Sequence, residues 1–302
     1  MPSATEIVYA LGLGDRLVAV THECDFPPEA RTKPQITASV IDSDGLTAAE
    51  IDAAVRESLA ERRTIYSLDA DLLADLRPDL ILTQELCEVC AIGPDLVLQA
   101  VRALPAAPQV VSLEPHTLRA VLDSIRTVGA LTGTDDRAAR VMSDLEARLS
   151  SVAAAVSGRP VQRVLTMEWV DPVFVGGHWV PDMVAAAGGE DVLGRSGEPS
   201  REVTWQDIVD ADPDIIIAMP CGFGLERSAM ELQRAALPAE WHGLRAVREG
   251  RVYVVDGSSY FNRPGPRLVD GVEITATILH PEANSGGRPG AFGRFEGRVG
   301  AV

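Results

Sequence analysis

The sequence predicts an α/β protein: two Rossmann-like lobes with mainly parallel sheets, joined by one long backbone helix. Three observations predict it. The chain says one thing twice, because Asp71 to Cys87 reads D-L-L-A-D-L-R-P-D-L-I-L-T-Q-E-L-C and Asp207 to Cys221 reads D-I-V-D-A-D-P-D-I-I-I-A-M-P-C. Each copy is a short helical pattern, a Pro-Asp break, an apolar run and a loop ending in cysteine, and such self-similarity means two lobes on one plan. Strand signals alternate with helical periods in both halves, as in a parallel sheet covered on both faces. Finally, Ala138, Val141, Met142, Leu145, Leu149, Val152 and Val156 keep a helical period over about 22 residues, a rod of roughly 33 Å, which Gly158-Arg159-Pro160 ends.

Taken in order, Ser3-Ala4-Thr5-Glu6 is a capping-box pattern, with serine at the cap and glutamate three residues on, and starts a helix near residue 1. Gly12-Leu13-Gly14 turns the chain into a strand over Leu17 to Val20. The later counterparts are the helix around Asp182-Met183-Val184, Gly188-Gly189, and Asp191-Val192-Leu193. That second helix follows a strand, Arg163 to Glu168, whereas this sequence shows no strand before Ser3. An N-terminal strand of the first lobe is therefore expected to be missing, with Met1 an internal methionine of a longer protein. Pro34 to Tyr66 has no counterpart and reads as an insertion, with Thr47-Ala48-Ala49-Glu50 opening a helix. Pro-Asp breaks lead into strands at Leu80 to Leu82 and Ile215 to Ala218, and Val110 to Leu113 and Val252 to Val255 follow. Leu118, Val121, Leu122, Ile125 and Val128 mark a helix. The boundaries drawn are 1–133 for the N-terminal lobe, 134–158 for the backbone helix, 159–283 for the C-terminal lobe and 284–302 for a Gly- and Arg-rich disordered tail.

Composition narrows the function. The 302 residues are 46% hydrophobic and 24% charged with a formal net charge of -17. A packed core is expected, and nucleic-acid binding is not, because phosphate neutralisation needs a basic surface. No apolar run approaches the roughly 20 residues of a membrane span. Four cysteines are not a disulfide scaffold. With no secretory leader ahead of Ser3, the expected location is cytoplasmic with reduced thiols, or periplasmic or cell-surface if the missing N-terminus carried a signal.

In open parallel sheets ligands bind beyond the carboxyl ends of the strands. The loops there hold His22-Glu23-Cys24, Glu85 with Cys87 and Cys90, Glu168-Trp169, His178-Trp179, Cys221, and Tyr260-Phe261 with Arg263. All four cysteines fall in them. Thiolates with imidazole suit zinc, copper(I) or an iron–sulfur cluster, so Cys24, Cys87, Cys90 and Cys221 are candidate metal ligands. Trp169, Trp179, Tyr260 and Phe261 offer flat faces to a planar organic ligand, and inter-lobe packing is the alternative use of such rings. His178 is placed either to meet a bound metal or polar rim or simply to cap backbone, and His22 and Glu23 share that ambiguity. Catalytic motifs are missing: there is no G-x-S-x-G elbow, Walker loop or H-E-x-x-H. Glu85 and Glu168 as an acid–base pair rest on loop placement alone.

P-S-A-T-E-I-V-Y-A-L-G-L-G-D-R-L-V-A-V, L-R-P-D-L-I-L-T-Q, A-D-P-D-I-I-I and G-R-V-Y-V-V-D resemble, in order, the iron-siderophore and vitamin B12 binding proteins of ABC importers, the helical-backbone class, over roughly residues 2 to 282. H-E-C-D, T-Q-E-L-C-E-V-C, E-W-V-D-P-V-F-V-G-G-H-W-V-P and Y-F-N-R-P-G-P-R-L-V-D-G look like its cobalamin-binding subgroup. The resemblance implies a non-catalytic, monomeric two-lobed protein that holds cobalamin, another corrinoid or a related metal chelate between its lobes. It also implies an ABC permease as partner, docked through a surface acidic residue on each lobe, and a strand ahead of P-S-A-T-E. On it, Trp169, Trp179, Tyr260 and Phe261 enclose the ligand, His178 and the thiols approach its metal or rim, and Arg263 meets a carboxylate or phosphate. His22, Glu23, Glu85 and Glu168 complete the expected set. The rival expectation is a cytosolic metal or iron–sulfur protein using the four cysteines.

Overall fold

The computed structural model describes residues 1–61, 63–84, 100–102, 107–283, 286–288 and 290–296. The chain forms two compact units. Unit 1 comprises Met1–Leu46, Glu50–Pro115 and Ala120–Met142; unit 2 comprises Thr47–Ala49, His116–Arg119 and Ser143–Val302.

Unit 1 opens on helix α1 (Pro2–Ala10), which starts with proline at its first turn and has no side-chain cap. The capping box expected at Ser3 is not made: Ser3 and Glu6 are buried inside the helix, and Pro2, whose missing N–H needs no cap, takes the start. Strands β1 (Thr37–Ser39) and β2 (Tyr66–Leu68) pair antiparallel and flank helix α2 (Ala48–Ala60). Helix α3 (Ala70–Leu76) is capped by Asp69, whose side chain accepts from the Leu72 amide. Strands β3 (Leu80–Thr83) and β4 (Gln109–Ser112) pair in parallel. The strand expected over Leu17 to Val20 is reduced to one parallel bridge, Val20 to Gln35. A cavity of about 760 Å³ lies beside it, with Val18, Val20 and Ile36 on its wall together with Leu80 and Leu82. Extended backbone becomes a strand only where a neighbour takes its hydrogen bonds.

Helix α4 (Leu118–Thr132) precedes α5 (Asp135–Val156), the long helix the periodicity predicts. The division between units falls within α5, at Met142 and Ser143.

Unit 2 is built on seven strands, β5 (Gln162–Val170), β6 (Val173–Val175), β7 (Gly189–Asp191), β8 (Arg201–Glu202), β9 (Ile215–Ala218), β10 (Val252–Val255) and β11 (Phe292–Arg294), in the order β11-β10-β9-β5-β6-β8 with β7 also on β5. Strands β10, β9, β5 and β7 run parallel, and β6, β8 and β11 add antiparallel edges. Ile215, Ile216, Ile217 and Ala218 are all fully buried, which is why β9 reads as an unbroken apolar run rather than an alternation. Helices α6 (Val180–Ala186), α7 (Trp205–Ala211), α8 (Leu225–Arg234), α9 (Ala239–Gly243), α10 (Arg245–Arg248), α11 (Gly257–Tyr260) and α12 (Leu268–Leu279) complete the unit. Within the tail expected to be disordered, Phe292–Arg294 is an edge strand: Tyr253 faces Arg294 and Val255 faces Phe292. Three residues are too few to show a period in sequence, and β10 supplies the template. No helix among the described residues is long and apolar enough to cross a membrane.

The repeat has a backbone signature. Arg77 ends α3 and Asp212 ends α7, each in the left-handed conformation (φ 45° and 39°). Each N–H closes back on the helix, to Leu73 and Ile208, and a proline follows. A left-handed cap turns the chain sharply out of the helix and proline prevents its continuation, so both Pro-Asp breaks deliver the chain to a parallel strand.

Candidate functional site

The register of unit 2 aligns the carboxyl ends of its parallel strands, with Met167 opposite Ala218 and Ala218 opposite Val254. The end of β5 and the loops that follow β9 and β10 are tied to one another at this end by backbone bonds. The Met219 amide donates to Met167 O (2.8 Å), Cys221 N to Glu168 O (3.0 Å), and Ser258 N to Phe223 O (3.1 Å). Asn262 Nδ2 donates to Met219 O at 3.3 Å. Gly257 is required at this junction, because a Cβ there would lie 2.7 Å from the carbonyl oxygens of Met219 and Pro220.

On this base stand the polar and aromatic groups. Trp169 is half-buried at the end of β5; its ring lies 5.3 Å from that of Phe223, and its Nε1 donates to Ala48 O at 3.2 Å. Ala48 is itself buried, and its amide donates to Oε2 of the buried Glu231 at 2.7 Å. The guanidinium of Arg227 lies over Phe223, 4.9 Å from the ring centre. Glu168 Oε1 accepts from the Gly177 amide at 3.3 Å. Tyr260 is half-buried with the Arg267 guanidinium over its ring at 5.7 Å, and Arg263 is half-buried in the same loop.

His178 sits in the left-handed region with φ 49°. Its amide donates to Glu198 O (2.6 Å) and its carbonyl accepts from Gly197 (3.0 Å). Gly177 beside it admits no side chain: a Cβ would fall 2.2 Å from Ser200 N. The loop is backed by Asp191, whose carboxylate accepts from the amides of Gly194 (2.7 Å) and Leu193 (3.2 Å) and from the Thr166 hydroxyl. Burial pushes this carboxyl up to about 6, against the pull of those donors and of Arg201. The His178 imidazole is held below its ordinary value, first by burial and then by the neighbouring His116.

The structure therefore places Glu168 and Trp169 on the last residues of β5, Cys221 in the loop after β9, Tyr260 and Arg263 beyond β10, and His178 in the loop after β6. Two of the expected ligand-facing rings are turned inward. Trp179 is 6% exposed with its Nε1 donating to Phe261 O at 2.7 Å, and Phe261 is 1% exposed. Apolar rings at the rim of a sheet gain more from burial than from an open face, and here they brace the loops. Sequence reasoning missed Phe223, Arg227 and His116. Phe223 follows Cys221 in the repeat and was open to discovery there; His116, 62 residues from its partner, gave no local signal.

In unit 1, His22 Nδ1 lies 2.7 Å from Thr37 Oγ1, its ring is 5.6 Å from that of Tyr66, and Glu23 is exposed with Oε1 3.6 Å from His22 Nε2. Cys24 is buried, and its sulfur accepts from the Thr5 hydroxyl (3.2 Å) and lies 3.1 Å from Thr21 Oγ1, so this thiol is a core group with local partners. Glu85, Cys87 and Cys90 lie outside the described residues. Among the described residues no three His, Cys, Asp or Glu side chains converge as metal ligands.

Comparison with known proteins places this arrangement. The sequence profile of the family described as "Periplasmic binding protein" matches residues 1–258. A vitamin B12-binding protein of Vibrio cholerae is 25% identical over 281 residues, covering 92% of this chain and 86% of that protein. An ABC transporter substrate-binding lipoprotein of Bacillus subtilis is 24% identical over 296 residues, covering 93% and 79%. In structure, a periplasmic haem-binding protein of Pseudomonas aeruginosa aligns with a TM-score of 0.72 at 22% identity, over 99% of this chain and 97% of that one. The periplasmic vitamin B12 binding protein of Vibrio cholerae aligns with 0.66 at 23%, over 92% and 94%. These findings overturn the cytoplasmic location expected from the lack of a leader, since the matching family is periplasmic and one relative is a lipoprotein.

Proposed function

We propose, from the premise that this chain belongs to the periplasmic binding protein family, that it binds a corrinoid of the cobalamin type, or a related metal chelate, and hands it unchanged to an ABC permease. The observation that carries this reading is the joining of the β5 end to the loops after β9 and β10 at the carboxyl end of the unit 2 sheet. They present a half-buried tryptophan, a tyrosine and an arginine, and His178 stands in the loop after β6. Flat faces with a few fixed polar groups suit a large, partly apolar ligand. The vitamin B12-binding relatives, which align over most of their length, support a ligand of the cobalamin class.

In the proposed site Trp169 and Tyr260 stack on the ligand, Arg263 meets its carboxylate, amide or phosphate groups, and Cys221 and Glu168 line the rim. Trp179 and Phe261 support the wall from behind. Surface carboxylates, abundant on a chain of net charge -17, are the proposed docking groups for the permease.

Tryptophan emission tests the reading. Cobalamin absorbs across the emission band, so binding quenches fluorescence, and Trp169 is the tryptophan placed to report it. Wild type should quench saturably with one equivalent, and Trp169→Leu should bind at least about tenfold more weakly, as expected for losing a buried aromatic contact. Equal affinity in wild type and variant would remove Trp169 and this loop cluster from the site.

A further inference from the structure

Two imidazoles that no motif joins, His116 and His178, meet in unit 2. Their ring centres are 5.7 Å apart with planes inclined by 38°. His116 is exposed and His178 half-buried. The His116 segment is anchored two residues on, where the Leu118 amide donates to Asp182 Oδ2 at 3.0 Å. Asp182 lies in the first turn of α6, the helix that His178-Trp179 leads into. His178 is fixed by its own amide and carbonyl, and its ring stacks on Trp179 at 5.5 Å and 29°. Yet His178 Nε2 is buried and has no hydrogen-bond partner. Buried side-chain nitrogens are ordinarily satisfied, and the aromatic neighbours of this ring are Trp179 and the second imidazole.

The separation fits a shared ion. Two imidazoles on one tetrahedral metal, with bonds of about 2.0–2.1 Å, have centres roughly 5 Å apart, close to the 5.7 Å found here. We propose that His116 and His178 form a paired-imidazole seat for a divalent transition-metal ion that offers two adjacent exchangeable positions. Since the described residues supply no third converging ligand, the remaining positions belong to water or to a small chelator travelling with the ion. This seat goes beyond the corrinoid reading, whose ring nitrogens leave no two adjacent positions open, and shares only His178 with it.

Copper(II) is the probe, because imidazole sites bind it most strongly among the divalent first-row ions and its electron paramagnetic resonance counts coordinated nitrogens. The full chain is titrated with copper(II) chloride, and separately with copper(II) carrying one equivalent of a bidentate amino acid. Wild type should take up one ion in a site whose pulsed spectra show two imidazoles. His116→Gln and His178→Asn, the latter chosen because asparagine tolerates a left-handed backbone, should each show one imidazole and bind about tenfold or more weakly. His242→Gln, on an exposed helix end, should match wild type. Uptake of the bare ion alone identifies a hydrated ion as the occupant; uptake of the amino-acid complex identifies a chelate, and either supports the seat. A single-imidazole spectrum in wild type, or unchanged affinity in both variants, overturns it. The wild-type spectrum decides the question even if a variant misfolds, and copper without cobalamin keeps the outcome separate from the corrinoid reading.

Discussion

A few residues fix the geometry of the candidate site, and Gly177 and Asp191 matter most. Gly177 lies against backbone that cannot yield, with Ser200 N and Pro199 C at 2.2 and 2.6 Å from where a Cβ would sit. Gly177→Ala should therefore lower stability by about 2 kcal/mol or more and displace His178; thermal unfolding and the copper titration report the two effects. Asp191 makes the opposite kind of prediction. Its carboxyl titrates near 6 in the fold against an ordinary 3.8, so the folded state binds the proton more tightly than the unfolded chain. Its favourable contribution is full below about 3.8 and is lost as pH rises to about 6, a change on the order of 2–3 kcal/mol. Asp191→Asn keeps acceptors for Leu193 and Gly194. It should be as stable as wild type or more so at pH 7.5, and flatten the fall in melting temperature between pH 4 and 6. A variant markedly less stable at pH 7.5 would show that the ionised carboxylate is favoured there. Neither residue announces itself in sequence: Gly177 is one of two adjacent glycines, and the burial of Asp191 is created by strands it joins only in the fold.

At the scale of elements, the joint between α5 and α12 carries the most charge. Arg148 Nε and Nη2 donate to the two carboxylate oxygens of Glu273 (2.8 and 2.6 Å), and Nη2 also reaches the buried Asp270. Arg288 donates to the same Asp270 oxygen at 2.8 Å. Hydrogen bonding to Glu273 and Asp270 raises Arg148 above its already high value, against burial. Arg148→Met should cost roughly 2–3 kcal/mol by chemical denaturation, because it leaves acids short of a partner in a mostly buried place. Adding Glu273→Met should recover part of the loss. The elements themselves were largely legible: the period of α5, both Pro-Asp strands and the β10 run follow from local pattern. Two failures have tertiary reasons: Leu17 to Val20 has strand composition but one bridge, and Phe292–Arg294 has little strand signal but a waiting edge. The third is local, because the Ser3 cap is displaced by its neighbour Pro2. Whether a ring at a sheet's rim faces in or out depends on packing that spacing does not encode. Trp179 and Phe261 turn in, while Trp169 and Tyr260 stay half-exposed.

For the whole molecule, the proposal is one of carriage without chemistry: a rigid loop platform on a parallel sheet, in a chain of the periplasmic binding protein family, grips a bulky metal chelate. Calorimetric titration of the full chain with cobalamin tests this most directly. The account predicts a saturable heat with one site per chain, a dissociation constant at or below the micromolar range, and cobalamin recovered unaltered in its visible spectrum. Absence of heat up to high micromolar concentration, or recovery of a chemically changed corrinoid, would contradict it.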